Sequence, residues 1–365
     1  MATTYRYLLA DLVTNEIIAE LPLTGVSFTQ QLNQAGTFQG HLLLSGVNAD
    51  ALNVDTATIP ARNAIYVDRD NIIVWGGVIW GREYNSTSQT LTITAREFIS
   101  YFERRRINTT LAFTAIDQLS IAQNLIQTAQ TQTYGDIGIV YNTDGQTTSG
   151  ILIDRVYYNY ELKSVFQAIQ DLSRQTDGFD FSVDVYYQSG SIIKAFNTYY
   201  PRLGGTYDAN DPYAVVFNMP GNIVEYVYPE DGSIAANKIY TLGAGSNEGK
   251  LISIATDSTK FTDGWALLED QANYSDITDQ TVLDELATGR VTALSYPPTT
   301  VKVIVPAYEA PVFGTYEIGD SARLIITDSR FPNTLDEVYR IVGLSVQPGE
   351  DGPERVTVTL TTGTE

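Results

Sequence analysis

Few residues in this chain of 365 are of a type and spacing that could do chemistry. The stretch "GAGSNEGKL" has the glycines and lysine of a phosphate loop. Yet Ala244 stands where the first glycine belongs, Leu251 replaces the hydroxyl residue, and Glu248 would repel phosphate. His41 is the only histidine and cysteine is absent, which excludes multi-histidine zinc sites, thiol chemistry and any Ser-His-Asp triad not built on that residue. "YDANDPY" carries oxygen ligands for calcium without the spacing or glycine of a calcium loop, and reads as a turn. Paired carboxylates for glycoside hydrolysis carry no signal, because 43 acidic residues always supply pairs. The expectation is a protein with no catalytic residue, no cofactor and no metal.

The charged residues are more informative as possible contacts. "REFISYFERRRI" places Arg104, Arg105 and Arg106 side by side after Tyr101 and Phe102, in a chain of net charge -21 and pI near 4.3. The pattern predicts a short helix over "REFISYFERR". Successive residues on a helix fan out by about 100°, so the three arginines cannot share one solvent face. At least one is expected to meet protein, with a carboxylate as partner; the plainer alternative is cations at a helix end. Tyr101, Phe102, Arg104, Arg105 and Arg106 are therefore candidate interface residues. So acidic a chain is not built to grip nucleic acid. Its 24 tyrosines against 3 tryptophans suit protein interfaces.

The elements that position these residues follow from periodicity. A hydrophobic fraction of 43% with 18% charged residues is that of a globular protein, and the length predicts two or three domains at roughly 150 residues each. The first hundred residues alternate with strand period between turn dipeptides such as Asp70-Asn71. The strand over Ile72 to Tyr84 is expected to bulge or bend at Gly76-Gly77. From Leu111 the period lengthens: Ile116, Leu119, Ala122, Ile126 and Ala129 form a helical stripe, with Thr114 and Asp117 as its capping pair. A second stripe runs from Glu161 to Arg174 through Leu162, Val165, Phe166, Ile169 and Leu172. Both are read as core. A hairpin "FDFSVDVYY"/"IIKAFNTYY" turns at Gln188 to Ser191, a helix over Val282 to Leu294 stops before Pro297-Pro298, and alternation at Val301, Val303, Val305, Leu324, Ile326, Val356, Val358 and Leu360 marks a second β part. The longest uncharged apolar stretch, "NIIVWGGVIWG", is too short to span a membrane as a helix. The start lacks a signal-peptide core, so synthesis in the cytoplasm is expected.

Several of these segments occur together, and in order, in one family. "VWGGVIWGREYNSTSQTLTITAREFISYFERRRI", "ANKIYTLGAG", "WALLEDQANYSDITDQTVLDELATGRVTAL", "YEIGDSARLIITDSRFP" and "VYRIVGLSVQPGEDGPERVTVTL" resemble the tail-hub or minor tail proteins of long-tailed bacteriophages, in particular siphophages of actinobacteria. The resemblance covers most of the chain and is weakest over Leu111 to Tyr213. It implies a mixed, mainly β (α+β) fold with two β-barrel-like domains separated by α+β peripheral material. The expected parts are a first β-barrel hub domain (1–108), an α+β peripheral domain (109–213), strands returning to the barrels plus a helical segment (214–298), and a C-terminal β-barrel domain (299–365), with the barrels open to being discontinuous. It further implies a homotrimeric ring at the virion tail tip, assembled in the host cytoplasm, that joins a sixfold tube to a threefold tip. The implied partners are the distal tail protein, the tape measure protein and other tail-tip proteins. Genomic DNA would pass through without tight binding, and the chain itself would not insert into membrane. The rival reading is a cell-surface carbohydrate-binding module or β-rich glycan hydrolase, with tyrosines of "NTYYPRLGGTYDANDPY" stacking on sugars.

Overall fold

The computed structural model describes residues 3–45, 52–141, 143, 145–206, 215–275, 277–295, 300–349 and 353–362. Its first stretch forms β1 (Tyr5–Asp11), β2 (Ile17–Glu20), β3 (Thr24–Gln31), β4 (Thr37–Leu43), a single turn α1 (Val54–Ala57), β5 (Asn63–Arg69), β6 (Ile72–Asn85) and β7 (Thr90–Glu97). A 3-10 helix, Phe98–Glu103, leads into β8 (Leu111–Asp117), α2 (Gln118–Thr131), β9 (Ile139–Tyr141), β10 (Leu152–Tyr157), α3 (Val165–Ser173), β11 (Asp180–Gln188) and β12 (Ser191–Tyr199). Next come β13 (Val215–Met219), β14 (Glu225–Val227), β15 (Lys238–Leu242), β16 (Ile252–Thr256), the turn α4 (Thr259–Thr262), β17 (Glu269–Asn273) and α5 (Gln280–Leu294). The chain closes with β18 (Thr300–Pro306), β19 (Ser321–Ile326), β20 (Leu335–Gln347) and β21 (Arg355–Thr361).

The fold is mainly β, as expected, but neither β part closes into a barrel. The strand path runs β14-β18-β21-β20-β3-β4-β7-β6-β5-β1-β2, with β19 branching from β20 and β13 from β19. The free side of β3 pairs with β20, Gly343 opposite Gln31 and Val346 opposite Phe28. The first β part thus runs into the last as one sheet of 13 strands, which leaves β2 and β14 at its ends. One core joins them: Phe28, Phe38, Trp75 and Ile93 from the first part pack in the same cluster as Phe217, Val303, Leu324, Leu344 and Val358.

The first sheet is covered on both faces. In β1, Tyr7 and Leu9 enter the shared core, while Leu8 and Ala10 face a second core. In β5 Ile65 and Val67 take the first side and Ala64 and Tyr66 the other. That is why these strands read as continuous apolar runs, whereas β18 to β21, buried on one face, alternate cleanly. The second core is filled by Phe98, Phe102, α2, α3 and the hairpin β11–β12. The glycines Gly76 and Gly77 serve close approach: a Cβ at Gly76 would lie 2.7 Å from the Tyr66 ring, and one at Gly77 2.2 Å from the Arg96 carbonyl oxygen. The irregularities in pairing flank them, between Val67 and Asp68 and between Ile79 and Gly81.

Both helical stripes are core over most of their length. Leu119, Ala122, Ile126 and Ala129 are buried, as are Val165, Phe166, Ile169 and Leu172. Ile116 and Leu162, at the ends of the two stripes, are exposed. Thr114 lies in β8, so the predicted capping pair does not form. Asp117 alone caps α2, accepting from the Leu119 N–H at 2.9 Å. A separate small sheet, β16-β15-β17, carries α5 on one face. The predicted turn "YDANDPY" lies outside the described residues.

Candidate functional site

The predicted helix over "REFISYFERR" is a strand end followed by a 3-10 helix, because β7 continues to Glu97 in register with β6. Arg96 therefore belongs to a strand and pairs with Glu103 through two bonds of 2.6 and 2.7 Å. Phe102 is fully buried in the second core. Tyr101 is half-buried and donates from its hydroxyl to the Gly135 carbonyl at 3.1 Å.

The three adjacent arginines divide. Arg105 is half-buried and donates to the Ala129 carbonyl at 2.9 Å, the Gln132 side-chain oxygen at 2.7 Å, the Gly135 carbonyl at 3.2 Å and the Tyr101 hydroxyl. Its guanidinium carbon sits 5.3 Å from the Tyr101 ring centroid. Apart from the Tyr101 hydroxyl, these acceptors lie at or just past the C-terminal end of α2, where backbone carbonyls have no intrahelical partner and the helix dipole is negative. A cation there needs no carboxylate, and the expected ion pair is replaced by this cap. Arg106 is exposed and, among the described residues, its side chain reaches only the Glu103 carbonyl, at 3.2 Å. Arg104 is exposed and has no side-chain partner among the described residues. The backbone continues the joint: Val165 N–H donates to the Arg105 carbonyl and Ile107 N–H to the Lys163 carbonyl, which ties this segment to the start of α3.

Two buried ion pairs at other joints were not anticipated. Asp180 opens β11 and accepts from Asn33 Nδ2 at 2.7 Å, from the Leu203 N–H at 2.8 Å and from Arg340 Nη2. Asn33 lies in the β3–β4 turn and returns the contact, accepting from the Phe181 N–H at 2.8 Å. Arg340 in β20 also donates to the Leu203 carbonyl at 3.0 Å. First β part, peripheral hairpin and last β part are thus pinned at one carboxylate, whose side chain is 7% exposed. The second pair is Arg69 with Glu354, bidentate at 3.0 and 2.7 Å, with the Tyr5 hydroxyl on the same carboxylate and Phe313 under the guanidinium at 5.1 Å. The signal for Asp180 is present in "FDF": an acid between two buried phenylalanines at the start of a strand demands a partner. Nothing local marks Glu354.

Among the described residues no catalytic constellation assembles. His41 is a β4 residue bonded to Thr92 Oγ1 at 3.0 Å. "GAGSNEGKL" is a turn with a 3-10 segment, Asn247–Gly249. Among the described residues no group of three or more His, Asp or Glu could hold a metal, and no helix is long and apolar enough to cross a membrane.

No protein-family model matches the chain, and no curated protein sequence matches it. Solved structures do. The tail protein from Neisseria meningitidis MC58 superposes with a TM-score of 0.58 at 13% identity, covering 97% of this chain and 96% of that one. The 43 kDa tail protein of prophage MuSo2 from Shewanella oneidensis gives 0.60 at 14% identity over 98% of both chains. Prophage tail protein gp18 from Listeria monocytogenes EGD-e gives 0.53 at 15%, covering 99% of this chain and 95% of that one. The chain has the fold of these phage tail proteins from end to end.

Proposed function

We propose that this chain is a structural tail-hub protein of a long-tailed phage, forming a homotrimeric ring at the virion tail tip between a sixfold tube and a threefold end. The carrying observation is the fold likeness to tail proteins over 97–99% of the chain. A hub must be stiff, and the shared core with its two buried ion pairs makes the two β parts a single body. In this reading the parts 1–108, 109–213, 214–298 and 299–365 are the hub's working divisions. Tyr101, Phe102 and Arg105 lock a joint within the chain, and Arg104 and Arg106 are left for contact with a neighbouring subunit. The proposed neighbours are the distal tail protein, the tape measure protein and other tail-tip proteins. DNA passes the ring without being held, since -21 charges per chain repel phosphate. The protein is not an enzyme in this reading. Its origin in an actinobacterial siphophage rests on the sequence resemblance alone. Imaging of the assembled tail tests it: three copies in a ring around an open channel is the expected result, and any other copy number overturns it.

A further inference from the structure

Beside the Asp180 joint lies a cleft of about 380 Å³ between the first sheet and β11. Among the described residues its lining includes Gln30, Glu97, Ser182, Asp184, Tyr186 and Glu317, and no lysine, arginine or histidine. Glu97 Oε2 accepts from the Gly36 N–H at 2.6 Å, and its other oxygen has no donor among the described residues. Asp184 Oδ2 accepts from Asn197 Nδ2 at 2.6 Å and from the Tyr199 hydroxyl at 3.0 Å, which leaves its Oδ1 in the same condition. Ser182 Oγ is buried with no hydrogen-bond partner among the described residues. A concave site that offers acceptors, an aromatic ring and no cation selects against anions and favours a ligand with several N–H donors.

We propose that this cleft is a binding site for an organic cation, a guanidinium or alkylammonium group with a short apolar stem, held by Asp184, Glu97 and Ser182. The shared chemistry comes from either a free amine or an arginine or lysine side chain of a partner. The site goes beyond the hub role and stands whether or not the chain forms a ring. Burial pushes the Glu97 carboxyl up to about 8, with the Asp184 charge adding to the shift. At neutral pH Glu97 thus enters as the acid, and a bound cation converts it to the carboxylate with release of a proton to solvent. Asp184 on β11 and Glu317 at the rim are the other ionisable acids facing it.

Calorimetric titration of the full chain at pH 7 with agmatine, with an acetylated Gly-Arg-Gly amide, and with glutarate tests this. Saturable binding of agmatine or the peptide, none of glutarate, and heats that change with buffer ionisation enthalpy are expected. Tighter agmatine marks a free amine as the ligand, and a tighter peptide marks a partner side chain. Asp184→Asn should weaken binding tenfold or more and Ser182→Ala severalfold, while Asp231→Asn, on an exposed turn, leaves it unchanged. Should Asp184→Asn unfold the chain, Ser182→Ala decides alone. No saturable heat from either cation at 10 mM, or affinity indifferent to Ser182→Ala, overturns the proposal.

Discussion

Two kinds of joint hold this molecule together, and they solve the same problem with opposite partners. Where the last β part meets the first part and the hairpin, half-buried guanidiniums face buried carboxylates, Arg340 with Asp180 and Arg69 with Glu354. Where the first β part hands over to the peripheral segment, Arg105 faces neutral carbonyls at the end of a helix. Breaking an ion pair strands a desolvated charge. Breaking the carbonyl cap leaves neutral dipoles without a donor, a smaller loss than a stranded charge. Adjacent position in sequence says nothing about which kind an arginine makes: Arg104 and Arg106, flanking Arg105, are exposed.

The contrast is broken most directly at Arg340. Arg340→Ala leaves Asp180 buried without its cation and is expected to destabilise the chain by about 3–5 kcal/mol, the usual cost of removing one partner of a buried pair. Chemical denaturation reads this, and a loss under about 1 kcal/mol would mean the joint is carried by Asn33 and Leu203 instead. Arg105→Ala should cost less, about 1.5–3 kcal/mol for charge-assisted bonds to carbonyls. Hydrogen exchange should rise at the end of α2 first.

A third test uses pH. Because the Glu97 carboxyl titrates near 8 in the folded chain, against about 4.5 for an ordinary glutamate, the folded state holds a proton there that the unfolded chain gives up. Its contribution to stability is present below about 4.5 and is lost as pH rises to 8, with a slope of at most ~1.4 kcal/mol per pH unit. Glu97→Gln should flatten that part of the stability profile. An unchanged slope would place the carboxyl in water. At the small end, Arg104→Ala should shift stability by no more than about 0.5 kcal/mol, as for other exposed residues. A larger effect in the isolated chain would expose a contact on the Arg104 side of the joint.

Much of the fold was legible in the sequence, because periodicity reports burial. The β18 to β21 alternation and the α2 and α3 stripes are direct readouts of one buried face. What could not be read was closure. Whether β3 pairs within its own part or with β20 depends on a partner more than 300 residues away, and either choice gives β3 the same alternating pattern. The arginine run was legible as a joint but not in its chemistry. The acceptors of Arg105 are backbone carbonyls, present at every residue and made available only by where α2 ends. For Asp180 the need for a partner was legible in "FDF" but the partner was not, since Arg340 lies 160 residues further along the chain.

The shared core also sets a clock on synthesis. Phe28, Phe38, Trp75 and Ile93 leave the ribosome early, yet the strands that cover them begin at Val215 and mostly at Thr300. At ~5–20 residues per second the interval between Glu97 and Thr300, about 200 residues, lasts roughly 10–40 s. Throughout it the nascent first sheet shows one oily face to water, while its other face is already being covered by α2, α3 and the hairpin as they emerge. Until β18 to β21 arrive, the half-built sheet is held together by the peripheral segment packed on its other face.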